Sequence, residues 1–166
     1  SVALPELLLA AGDGRFPLGS HTIDLVVSDL INDPVCATVQ VDVTDSQQPS
    51  LSPIPSTTIL WPPDHTLRPV TIEANAFDNG GGPVSLDVSI ESSEPPDADA
   101  DGNTVPDSFV DMVDDATGVI EIRLRSERAG SGDGRTYTVL IAATDASGNV
   151  SVAEVRIVAP HDRRKK

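Results

Sequence analysis

Residues 21–45 (HTIDLVVSDLINDPVCATVQVDVTD) and 137–161 (YTVLIAATDASGNVSVAEVRIVAPH) superimpose when one is shifted by 116 positions. Thr22 falls on Thr138, Ile23 on Val139, Leu25 on Ile141 and Asp29 on Asp145; further along, Val39 meets Val155 and Val41 meets Ile157. Both segments alternate apolar and polar residues with a period of two, as a half-buried strand requires, and both break at a turn. A fixed internal offset sets the length of a repeating unit. The chain therefore divides into residues 1–45, matching the C-terminal part of one copy, residues 46–162, a complete copy, and a basic tail at 163–166. A single domain with two similar hairpins is the competing organisation.

Within the complete copy the alternation predicts seven strands. They cover 57–61, 68–77 (Val70, Ile72, Ala74 and Ala76 inward), 84–91 (Val84, Leu86, Val88 and Ile90 inward), 108–113, 119–125 (Ile120, Ile122 and Leu124 inward), 137–144 and 150–158. Twelve Gly and fourteen Pro punctuate the chain, and no segment has helical periodicity. The only aromatic residues are Phe16, Trp61, Phe77, Phe109 and Tyr137, so aliphatic side chains must fill the core. Seven short antiparallel strands in about 100 residues predict an all-β, immunoglobulin-like β-sandwich. Tyr137, opening its strand, resembles that fold's tyrosine corner.

The formal charge is −15, and the only lysines are Lys165 and Lys166 in the terminal tail. Such a surface repels phosphate backbones and anionic lipid, which argues against nucleic-acid partners. No apolar run approaches the roughly 20 residues of a membrane-spanning helix, so membrane insertion is not expected. Cys36 is the sole cysteine and has no partner for an internal disulfide. It is expected to pack as a small buried hydrophobe. His21, His65 and His161 are scattered, and neither HExxH nor GxSxG occurs. The expectation is a protein that is not an enzyme.

Residues 91–115 are the richest in carboxylates and hold no basic residue. At their centre Asp97, Asp99, Asp101 and Asn103 alternate around Gly102, flanked by Glu94 and Asp107. Carboxylates at alternate positions before a turn glycine can wrap a hard cation, so these six residues are the expected calcium ligands. A helix-flanked calcium loop is excluded, because its twelfth position would be Ser108. A solvated acidic loop is the plainer alternative. If the strands alternate in direction, 62–66, 94–107, 126–134 and 160–162 meet at one pole. Asp64, His65, Glu127, Arg128, Arg135 and Asp162 are expected to form a structural polar network there. At the opposite pole Asp45, Asp78, Asp145 and Asn149 are candidate inter-domain groups, although Asp and Asn before Gly also serve ordinary turns. Trp61, beside two prolines, is expected to plug the sandwich end in preference to stacking on a sugar.

The segments FPLGSHTIDLVVSD, VTDSQQPSLS, LWPPDHTLRPVTI, SSEPPDADADGNTVPD, LRSERAGSGDGRTYTV, ATDASGNVS and APHD together resemble bacterial secreted Ig-like repeats of the hyalin-repeat and cadherin-like type. The resemblance implies a tandem module of a large exported or surface protein, extracellular or at the cell surface, with neighbouring Ig-like domains as partners. It implies a structural or adhesive, calcium-stabilised role with no catalytic residues. In cadherin-like proteins calcium at domain junctions is held by groups such as the inter-domain set named above. Paired cysteines, frequent in such repeats, are missing here. Two rival functions remain: a filament subunit self-associating through residues 1–45, and a glycan-binding accessory module of a polysaccharide-degrading enzyme.

Overall fold

The computed structural model describes residues 16–29, 31–96, 102, 104–131 and 133–162. The chain divides into two compact units, Ser1–Ser46 and Gln47–Lys166. All regular structure among the described residues is β-strand.

The first unit is an antiparallel hairpin of β1 (Gly19–Val27) and β2 (Val35–Val43). Its pairing runs from Gly19 opposite Val43 to Val27 opposite Val35. Asp29 opens the turn, its Oδ1 accepting from the Ile31 and Asn32 amides at 3.0 and 2.8 Å. These bonds, with one from the Asn32 side chain, lower the Asp29 carboxyl to about 2. Both strands are largely uncovered: Val26, Val27 and Val35 are exposed, and so is Cys36, opposite Val26. The expectation of a buried cysteine is corrected here. Alternation alone cannot say whether a second layer covers the strand.

The second unit contains β3 (Ile54–Pro55), β4 (Leu67–Glu73), β5 (Ser85–Ser92), β6 (Ser108–Asp114), β7 (Val119–Arg125), β8 (Gly134–Thr144) and β9 (Val150–Pro160). They form a four-stranded sheet, β3-β4-β7-β6, and a three-stranded sheet, β5-β8-β9, all antiparallel. Val70, Ile72, Ile120, Ile122 and Leu124 from one sheet share a core with Tyr137, Val139, Ile141, Val155, Ile157 and Ala159 from the other. Leu86, Val88 and Ile90 of β5 pack against it while only partly buried. The arrangement is sandwich-like.

The register of β8 with β9 reproduces that of β1 with β2 under the 116-residue shift. Ile23 faces Val39 as Val139 faces Val155, and Val27 faces Val35 as Ala143 faces Ser151. The sequence repeat is thus a repeat of pairing.

The expected strand at 57–61 takes a different form. The Thr57 hydroxyl accepts the Ile59 amide at 3.2 Å, and prolines at 55, 62 and 63 remove ladder donors. The segment splits instead. Ile54–Pro55 pairs with β4, while Ile59 bridges Val158 of β9 in parallel, with Leu60 N donating to Val158 O at 2.8 Å. Strand β4 stops at Glu73, short of the expected Phe77, because Asn75 turns into the left-handed region (φ 47°). Phe77 then pairs separately with Ser50.

Candidate functional site

One pole of the second unit is built around Arg135, the second residue of β8, whose side chain is fully buried. A guanidinium removed from water needs acceptors on all sides. Its Nε donates to Glu94 Oε2 at 3.3 Å and its Nη2 to the Pro95 carbonyl at 3.2 Å. Its Nη1 donates to Asp107 and lies 3.5 Å from both Glu127 Oε1 and the Tyr137 hydroxyl. Arg125, from the end of β7, adds a second cation, its Nε 3.6 Å from Asp107 and 3.9 Å from Glu127. Arg125 also donates to the carbonyls of His65 and Pro106, so it ties two loops to the strand.

Glu127 is fully buried. Thr104 donates to its Oε2 at 2.6 Å, and His65 Nδ1 lies 3.4 Å from the same atom. Burial raises the Glu127 pKa and the neighbouring Asp107 charge adds to this, against the downward pull of Thr104 and His65. Burial likewise pushes the Tyr137 phenol up to about 12, although Arg135 opposes it. That phenol donates to the Arg125 carbonyl at 2.9 Å, closing the pole across both sheets. Ser126 completes the seam, its hydroxyl donating to the Pro62 carbonyl at 2.6 Å.

The network expected from sequence is therefore assembled in part. His65, Glu127 and Arg135 meet. Asp64 instead pairs with Arg68 at 2.7 Å on the surface, where the Thr66 hydroxyl also reaches it. Arg128 bonds the Ala129 carbonyl at 3.0 Å, and Asp162 is exposed. Of the expected calcium ligands, Asp97, Asp99, Asp101 and Asn103 lie outside the described residues. Glu94 and Asp107 are engaged by Arg135, with Glu94 also accepting the Ala129 amide at 2.7 Å. Their carboxylates take part in this ion network. Sequence reasoning missed Arg125 and Thr104, because strand-end alternation does not reveal a side chain that curls over the sandwich end. Trp61 is half-buried.

The opposite pole carries Asp78, after β4, and Asp145, directly after β8. Both are buried, and their carboxylate oxygens lie within 4.8 Å of one another. Asp145 is a turn residue: its Oδ1 accepts the Ser147 and Asn149 amides at 2.9 and 2.8 Å, and its Oδ2 accepts the Asn149 side chain at 2.8 Å. Burial works to raise the Asp145 pKa, but the Asn149 and backbone bonds together hold it below the usual value. Asp78 Oδ1, in contrast, is buried without a hydrogen-bond partner. Neighbouring Asn79 donates to the Gln47 side chain at 2.7 Å. Asp45 belongs to the first unit.

Comparison with protein-family models, curated proteins and solved structures returned no match.

Proposed function

We propose that the second unit is a non-catalytic, immunoglobulin-like spacer module, built to transmit load along a chain of extracellular domains. One observation carries this reading. The chain enters the unit beside the Asp78–Asp145 pole, where Ser50 pairs with Phe77, and leaves at the Arg135 pole, where Pro160 pairs with Gly134. Entry and exit at opposite ends suit in-line tandem linkage. The sheet orders β3-β4-β7-β6 and β5-β8-β9 support the immunoglobulin-like assignment. The buried charges support a structural role too, because Arg135, Asp107 and Glu127 spend their chemistry on one another.

Tension between the two ends would shear the parallel contact of the Thr58–Leu60 segment with β9. There, Leu60 N donates to Val158 O at 2.8 Å and Val158 N to Thr58 O at 2.9 Å. Single-molecule pulling on tandem copies of 47–162 tests the proposal. End-to-end loading should give all-or-none unfolding at a higher force than loading between residues 134 and 160, which unzips β8 from β9. Equal forces in the two geometries would overturn it.

A second reading, self-association through the first unit, is favoured by the open β1–β2 hairpin. In the second unit the equivalent hairpin is covered by a whole sheet and its β8 edge is paired with β5. Among the described residues no further strand pairs with β1 or β2, and an apolar face with an open strand edge invites pairing with another chain.

A further inference from the structure

We propose that Arg135 and Tyr137 determine which hairpin the second unit accepts, and that they keep a β1–β2 hairpin, from the same chain or a second copy, out of the place of β8–β9. The two hairpins share one register under the 116-residue shift, and their apolar faces nearly match. Ile23, Leu25, Ala37, Val39 and Val41 stand where β8–β9 has Val139, Ile141, Ala153, Val155 and Ile157. Cores tolerate aliphatic swaps of this kind. The sheet that β8–β9 packs against, with Ile120, Ile122 and Leu124, therefore has little means of telling these residues apart. Val27 and Val43, standing for the buried Ala143 and Ala159, are the larger exceptions. Exchange of like elements is a characteristic failure of repeated modules.

The polar end of the hairpin differs completely. The counterparts of Arg135 and Tyr137 are Gly19 and His21. The Arg135 guanidinium donates to Glu94, Asp107 and the Pro95 carbonyl and lies 3.5 Å from Glu127. The Tyr137 hydroxyl donates to the Arg125 carbonyl at 2.9 Å. These acceptors come from the β5–β6 connection and the end of β7, whereas the donors come from β8. The contact therefore reports which hairpin is seated against the sheet. With β1–β2 in that place, position 19 would offer no cation to Glu94, Asp107 and Glu127, and an imidazole is too short to reach where the phenol oxygen sits. Removing one partner from a buried ionic group shifts an equilibrium about 100-fold or more, enough to decide between two hairpins whose apolar faces nearly match. Nothing in this selection depends on in-line linkage, so it can fail while the spacer reading stands.

Refolding the full 166-residue chain from urea, then following backbone hydrogen exchange segment by segment, tests the proposal. In the parent the β8–β9 amides should exchange about 100-fold or more slowly than those of β1–β2, because a lone hairpin is marginal in water. Arg135→Met combined with Tyr137→Phe keeps the apolar volume and removes the contact. A second population should then appear, in about a tenth of the molecules or more, with slow amides at 22–26 and 38–42 and fast amides at 138–142. Ile122→Ala weakens the sheet for either hairpin alike and is the control: it should lower stability without producing that population. If the double variant does not fold, Gly19→Arg combined with His21→Tyr, which moves the two side chains onto β1, should produce the population in a chain whose second unit is unaltered. A folded double variant in which β8–β9 stays the one protected hairpin would overturn the proposal, since Val27 and Val43 would then suffice to exclude β1–β2. The same population in Ile122→Ala, or none in the transplant where the double variant is unfolded, would overturn it equally.

Discussion

Replacing Arg135 with Met removes the central charge of the exit pole while keeping most of its apolar volume. In the native unit Arg135 lies within 3.5 Å of carboxylate oxygens on Glu94, Asp107 and Glu127. Without it, the remaining guanidinium beside Asp107 and Glu127 is that of Arg125, at 3.6 and 3.9 Å, and Glu127 keeps Thr104 and His65 on its other oxygen. Even in the intact network Asp107 Oδ1 and Glu127 Oε1 lack hydrogen-bond donors, so there is no reserve to absorb the loss. Removing one partner from a buried ionic group costs about 3–5 kcal/mol, against a total domain stability of about 5–15 kcal/mol. Arg156→Ala is the matched control. Arg156 pairs with Glu154 on the surface, where both side chains are largely solvated, and such a pair is worth about 0–1 kcal/mol. Urea unfolding at pH 7, followed through Trp61, the one tryptophan, reads the second unit alone. The sign of the pH dependence adds a check. Burial already holds the Glu127 carboxyl above its ordinary value, so its contribution is present at low pH and lost as pH rises. The Arg135→Met deficit should therefore shrink between pH 7 and about pH 5. If the variant is too unstable to measure, Arg135→Met with Asp107→Leu should recover much of the loss, because both ends of the pair are then apolar. Equal losses below 1 kcal/mol from Arg135→Met and Arg156→Ala would refute the reasoning.

Glu127→Gln should gain stability relative to the parent as the pH rises from 4 to 8. With a folded pKa raised above 4.5, Glu127 contributes stability that is present below 4.5 and lost as pH climbs through the folded value. Asp64, Asp111, Asp114 and Asp145 act with the opposite sign: their lowered pKa values give stability present above 3.8 and lost as pH falls through the folded values. A variant whose stability tracks the parent from pH 4 to 8 would remove Glu127 from this account. For the first unit, light scattering should show self-association of the full chain and a folded monomer for 47–162. A monodisperse full-length monomer would dismiss the second functional reading.

Much of the fold was legible because burial on one face imposes a period of two that turns interrupt cleanly. Strand β7 matches its expected span, and Ile120, Ile122 and Leu124 are almost wholly inaccessible. The chain between Ile54 and Pro63 was less legible. It satisfies its backbone with several short partnerships, and apolar alternation does not report which strand receives a hydrogen bond. The exit pole was legible as a convergence of loops, since antiparallel topology dictates which connections share an end. Individual partners were not. Whether Arg135 meets Glu94 and Asp107, or a cation takes them, depends on side-chain reach across two sheets and leaves no periodic trace. Cys36 shows the same limit for layers: its strand alternates, yet nothing in one strand states what covers it.

The two equivalent hairpins separate what a hairpin requires from what this unit adds. Asp29 and Asp145 occupy matching turns and bind in the same way, each accepting two backbone amides and a nearby Asn side chain. That bonding belongs to turn formation, so replacing Asp145 would disturb the turn itself. Positions 19 and 21, the counterparts of Arg135 and Tyr137, are Gly and His. The ionic exit pole is therefore not part of the shared hairpin chemistry. Asp78 stands outside the hairpin altogether, and its Oδ1 makes no turn contact. A change there alters the charge at the entry pole while β8, β9 and their turn keep every hydrogen bond they have, so Asp78→Asn probes that charge without touching the turn.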